Sequence, residues 1–105
     1  MDKRTRVLNA MNKKEVDHVP VGFWFHFAGE EASGEGCIKA HLKYYRETDL
    51  DFVKIMCDGY FPYPLPEIRE AADWKTLQPL TADHPFIREQ VERAKAIVED
   101  IGKER

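Results

Sequence analysis

The stretch Val19-Pro20-Val21-Gly22-Phe23-Trp24-Phe25-His26-Phe27 decides the fold, because β-branched and aromatic residues fill it with no helical spacing. Val21 to His26 reads as a strand, with Pro20 at its entrance, where a missing N–H does little harm. Both faces are apolar: Val21, Phe23 and Phe25 on one side, Gly22 and Trp24 on the other, with His26 closing the second series. A strand apolar on both faces belongs inside a layered or barrel α/β fold.

Working outward, the acidic loop Gly29-Glu30-Glu31-Ala32-Ser33-Gly34-Glu35-Gly36 leads to a helix from about Cys37 to Arg46, where Ile38, Leu42 and Tyr45 recur at helical spacing. A second strand follows, Leu50-Asp51-Phe52-Val53-Lys54-Ile55-Met56-Cys57, ending on Asp58-Gly59. Strand, helix, strand predicts a βαβ unit with parallel pairing and a right-handed crossover. The prolines of Phe61-Pro62-Tyr63-Pro64-Leu65-Pro66 impose an irregular connection, and Glu67 to Leu77 reads as partly helical. Ile87, Val91, Ala94, Val98 and Ile101 give one apolar edge to a helix from Pro85 to Ile101, with Asp83 in the N-cap region and Gly102 at the C-cap. Upstream, Lys3 to about Asn12 reads as a short helix capped by Asp2, with Val7, Leu8 and Met11 on one stripe.

Composition bounds the function. With 105 residues, 43% of them hydrophobic, the chain can bury one modest core, so a multi-domain enzyme is excluded. A net charge of -3 with interspersed signs gives no basic footprint for nucleic acid. No apolar run approaches the ~18–20 residues that cross a bilayer, and Met1-Asp2-Lys3-Arg4 does not open a signal peptide. Cys37 and Cys57 form no CxxC pair, which fits free thiols and a cytoplasmic location. Two parallel strands flanked by helices leave two open sheet edges. Residues 1–105 are therefore expected to form a single partial domain, completed by a further chain segment or by homo-oligomer formation.

Asp58 is the leading candidate for chemistry, because ligand sites of parallel α/β folds lie beyond the C-terminal strand ends. His26 occupies the corresponding end of the first strand, and neighbouring strands lie about 4.8 Å apart, so both side chains can meet one ligand. The structural alternative is a turn-capping Asp58 and a hydrogen-bonded His26. Lys54 shares the face of Phe52, Met56 and Asp58; a lysine there needs either a ligand or an ion pair, with Asp58, Asp51 or a carboxylate from elsewhere as partner. Tyr60, with Phe61 and Tyr63, follows Asp58 directly and is placed to wall a pocket. Cys37 and His41 are four apart on the second helix, but two ligands do not close a zinc site, so no metal is assigned. With no phosphate loop, GxGxxG or nucleophile elbow, no cofactor is assigned either.

Lys3-Arg4-Thr5-Arg6-Val7-Leu8, Val16-Asp17-His18-Val19-Pro20-Val21, Ala28-Gly29, Tyr44-Tyr45 and Thr48-Asp49-Leu50-Asp51-Phe52-Val53-Lys54-Ile55 lead in order to Asp58, followed by Asp73-Trp74 and Leu77-Gln78-Pro79-Leu80. This order resembles the N-terminal third of the uroporphyrinogen decarboxylase family, which also contains cobamide-dependent methyltransferases. The resemblance implies the first β/α units of a TIM-like (β/α)8 barrel, incomplete at this length. It implies a lyase acting on a tetrapyrrole, or methyl transfer involving a corrinoid, in the complete barrel, with the 105-residue chain alone inactive. Asp58 falls on the family's catalytic aspartate, which meets the pyrrole NH groups. His26, Phe27, Ala28, Gly29 and Glu30 fall on an Arg-Gln-Ala-Gly-Arg motif whose arginines hold substrate carboxylates. A neutral imidazole and an acidic Glu30 in place of two guanidinium groups, with Glu31 and Glu35 nearby, repel a polycarboxylate and imply a different ligand. The zinc site of the methyltransferase relatives lies in a later part of the barrel than this sequence reaches. The competing expectation is a small non-catalytic α/β module that self-associates or completes a partner.

Overall fold

The computed structural model describes residues 1–60 and 62–105, without the side chain of Tyr60. Among the described residues three α-helices carry the fold, and their ends follow from their punctuation. α1 covers Lys3–Met11, with the Asp2 carboxylate accepting from the Thr5 N–H at 2.7 Å. α2 covers Gly34–Thr48, and α3 covers Pro85–Ile101. Proline in the first turn of α3 removes no hydrogen bond, and the Gly102 N–H returns to the Val98 carbonyl at 2.9 Å. The N-cap of α3 is His84 rather than Asp83; its Nδ1 accepts from the Phe86 N–H at 3.1 Å. Short 3-10 turns cover Gly29–Glu31, Asp58–Tyr60 and Ala71–Thr76.

α2 lies against α3, and between them Tyr45, Ile97 and Ile101 are buried with Leu42, Val53 and Ile55 packed around. A smaller cluster joins Phe27, Ala40 and Met56. The buried face of α3 is Arg93, Ile97 and Ile101, so the helix is rotated from the expected edge and leaves Val91 and Val98 exposed. α1 is likewise docked by Arg6 rather than by Leu8 and Met11, which are exposed.

The expected α/β architecture is not formed. Among the described residues there is no β-strand, so Val21 to His26 and Leu50 to Cys57 are neither a parallel pair nor the first units of a (β/α)8 barrel. The physical reason is where their backbone groups go. The Lys54 N–H donates to the Tyr45 hydroxyl at 2.9 Å, and that hydroxyl donates back to the Lys54 carbonyl at 3.0 Å. The Met56 N–H donates to Nε2 of His41 at 2.9 Å, and Arg93 reaches the Met56 carbonyl at 3.4 Å. The Asp51 and Asp58 carboxylates accept from the N–H groups of Val21 and Phe27. Buried backbone groups need a partner but not a strand, and here side chains of α2 and α3 supply it.

Only Asp51 N–H to the Val21 carbonyl, at 2.9 Å, joins the two segments backbone to backbone among the described contacts. The Phe52 ring lies across Gly22, where a β-carbon would collide with it. Both segments nevertheless run side by side in one direction, since Val21 meets Asp51 and Phe27 meets Asp58. The aromatic run expected to be covered on both faces is exposed: Phe23 at 67%, Trp24 at 47% and Phe25 at 52%. A radius of gyration of 17.8 Å, against about 13 Å for a compact chain of this length, shows that the molecule is elongated. Among the described residues no helix is long and apolar enough to cross a membrane.

Candidate functional site

Asp58 opens the 3-10 turn Asp58–Tyr60 directly after the segment that α2 holds through His41 and Tyr45. Its side chain is only 8% exposed. One carboxylate oxygen accepts from the Phe27 N–H at 3.0 Å, and the other lies 2.5 Å from Nδ1 of His26. Burial alone would raise the Asp58 carboxyl, but the His26 imidazole and the Phe27 N–H together outweigh it and hold the group below its ordinary value. Asp58 is therefore ionised at neutral pH and acts only as an acceptor, which puts the proton on Nδ1 of His26. The His26 side chain is 81% exposed, so its Nε2 is open to solvent. The pair has the form of an imidazole oriented by a carboxylate, able to accept or pass a proton at Nε2.

Three residues that no motif singled out hold this pair in place. Arg93, buried on α3, donates to the carbonyls of Met56 and Ala32 and to Oε1 of Gln90. Gln90 in turn donates to the Gly59 carbonyl at 3.1 Å. Gly59 is required there because a β-carbon would run into the Arg93 guanidinium and the Ala32 carbonyl. α3 thereby ties the Asp58 turn to the loop before α2. Spacing is their signal in the sequence: Gln90, Arg93, Ile97 and Ile101 form a face of α3, but two of the four are polar by residue type, which disguises it as a solvated face. Long stems let arginine pack like an apolar residue.

The other predicted site residues are dispersed. Lys54 is exposed and sits 4.4 Å from the centroid of the Trp24 ring, a cation–π contact rather than an ion pair with Asp58 or Asp51. The Asp51 carboxylate is instead taken by Arg6 and the Val21 N–H. The side chain of Tyr60 lies outside the described residues, as does Phe61. Tyr63 stacks edge-on against Phe86 at 5.2 Å. Cys37 and His41 touch at 3.4 Å, but both ring nitrogens of His41 are engaged by backbone groups. Among the described residues no group of three His, Cys, Asp or Glu side chains is arranged to hold a metal ion. Beside Phe27 lies a shallow hollow of about 190 Å³, lined by Phe25, Tyr44 and Lys43 with Glu31 and Glu47.

Comparison with known proteins adds no relative: no family model, no curated protein and no solved structure matches the chain.

Proposed function

We propose that the protein is uroporphyrinogen-decarboxylase-like and that Asp58, oriented with His26, is its ligand-contacting carboxylate. The observation that supports this reading is the contact itself: the two residues that the family motif assigns to one site meet at 2.5 Å although they are 32 positions apart. An ionised carboxylate with an exposed imidazole beside it can accept hydrogen bonds from pyrrole N–H groups. The acidic Glu30 and Glu31, at the turn that follows Phe27, disfavour a ligand with many carboxylates. The ligand class is then a tetrapyrrole poor in free acid groups, or a corrinoid. The reaction class is decarboxylation of such a tetrapyrrole or methyl transfer involving the corrinoid, with the chain alone binding and not turning over. A cytoplasmic location belongs to the same reading.

The test is a titration of deuteroporphyrin, a porphyrin with only two acid groups, and, separately, of cobalamin against the chain and its Asp58→Asn variant. Losing a charge-assisted hydrogen bond weakens binding by roughly tenfold or more. Equal affinity of the two proteins removes Asp58 from the site, and no binding of either ligand removes the reading.

A second reading, a non-catalytic self-associating protein, is favoured by the exposure of Phe23, Trp24 and Phe25 in an elongated molecule. It predicts a solution mass that rises with concentration, accompanied by quenching or shift of tryptophan emission. A concentration-independent monomer mass rejects it.

A further inference from the structure

A groove of about 400 Å³ opens between α1 and α3, and neither Asp58 nor His26 lines it. Its walls are Val7 and Leu8 of α1, Phe52 and Ile55 of the connecting segment, and Val98 and Ile101 of α3. That volume falls within the range of small-molecule sites, and apolar walls with few polar groups are their usual lining.

Three charged residues also border the groove: Arg4, Asp51 and Arg105. Asp51 is neutralised by Arg6 and by the Val21 N–H. Arg105 is not matched in the same way. Its side chain is only 7% exposed, one terminal nitrogen donates to the Tyr45 carbonyl at 2.7 Å, and the same nitrogen stands 3.9 Å from the Asp49 carboxylate. Its Nε is buried with no hydrogen-bond partner. An unmet buried N–H is unfavourable, and the guanidinium charge bordering an apolar groove attracts a carboxylate.

We propose that this groove binds an unbranched amphiphilic carboxylate, a medium-chain fatty acid or its equivalent, with the tail along Leu8 and Val98 and the head on Arg105 beside Arg4. Aliphatic walls select the tail, and the arginines select an acid over an alcohol. A nucleotide or sugar would leave its polar groups unpaired against these walls.

The experiment is a titration of the full chain with octanoate, decanoate and 1-decanol below their aggregation limits, followed by calorimetry and by the methyl resonances of Leu8, Val98 and Ile101. Saturable one-site binding is expected, about fourfold tighter for each added methylene. Decanoate should bind roughly tenfold more tightly than decanol. Arg105→Gln should bring decanoate down to the level of decanol and leave decanol unchanged. Val98→Asp, at an exposed helix position where folding is not threatened, should abolish decanoate binding by repulsion. Equal affinity for acid and alcohol, no dependence on chain length, or decanoate binding retained in both variants overturns the proposal. So does a doubling of mass on adding decanoate, which would make a second copy the occupant.

Discussion

Asp51→Ala should destabilise the protein by about 3–5 kcal/mol, the usual consequence of removing one partner of a buried ion pair. Asp51 is 4% exposed and joins three parts of the chain. One oxygen takes Nη1 of Arg6 at 2.5 Å, the other takes the Val21 N–H at 2.8 Å, and its own N–H donates to the Val21 carbonyl. Arg6 is the hub: Nε and Nη2 hold both oxygens of Asp17 at 2.7 and 2.9 Å, and Nη2 also reaches the Met1 carbonyl. Asp17 is held far below the usual carboxylate range by that fork, and Arg6 is raised in return.

Truncating Asp51 leaves an edge of the Arg6 guanidinium and the Val21 N–H without their acceptor. Asp51→Asn keeps the shape and one acceptor oxygen, and should lose less. Urea unfolding checks both: the midpoint falls while the slope stays the same. Arg6→Met in the Asp51→Ala background should add less than it does alone, because the two mutations remove one interaction. Full additivity of the two, or a loss below about 1 kcal/mol for Asp51→Ala, would show that the network does not anchor α1.

That network explains why part of the fold was legible and part was not. α1 and α3 were readable because helix signals are local: Asp2 as cap, Pro85 in the first turn, Gly102 after the last. The segments around Phe23 and Val53 have strand-like composition, but composition reports a residue's fit to a pleated surface, not the presence of a neighbour to pair with. Their partners came from side chains at long separation, Tyr45 for Lys54, His41 for Met56 and Arg93 for Met56, which no periodicity reveals. A two-stranded pair in water is marginal, so these polar side chains prevail over a ladder. The meeting of His26 with Asp58 does not depend on strands; it needs only that the two segments run alongside each other, which Val21 and Asp51 enforce at the other end. Lys54 was misplaced because a strand would have turned it toward Met56 and Asp58, whereas the irregular backbone leaves it over Trp24.

Acidification below about pH 6.5 should destabilise the protein through His41, at up to ~1.4 kcal/mol per pH unit. His41 is completely buried. The Met56 amide can only donate, so Nε2, 2.9 Å away, must accept; Nδ1 therefore carries the proton and donates to the Cys37 carbonyl at 2.7 Å. Adding a proton to Nε2 would set two N–H groups against each other and place a charge among Phe27, Tyr45 and Cys37. Burial accordingly pushes the imidazole below its ordinary 6.5, with the Arg93 guanidinium adding to the effect and the Cys37 carbonyl and Asp58 opposing it. The folded state thus binds this proton more weakly than the unfolded chain does. Stability is complete above the unfolded value and drains away as pH falls through the interval between the two. Urea midpoints should be flat from pH 7 to 8 and begin to fall as the pH drops below about 6.5, before exposed carboxylates titrate. His41→Gln, which keeps an acceptor for Met56 but cannot be charged, should be less stable at pH 7.5 and should flatten the slope in that interval. A variant that retains the wild-type slope, or a wild-type protein that gains stability on acidification, would place the neutral histidine elsewhere than at the junction of α2 with the Asp58 segment.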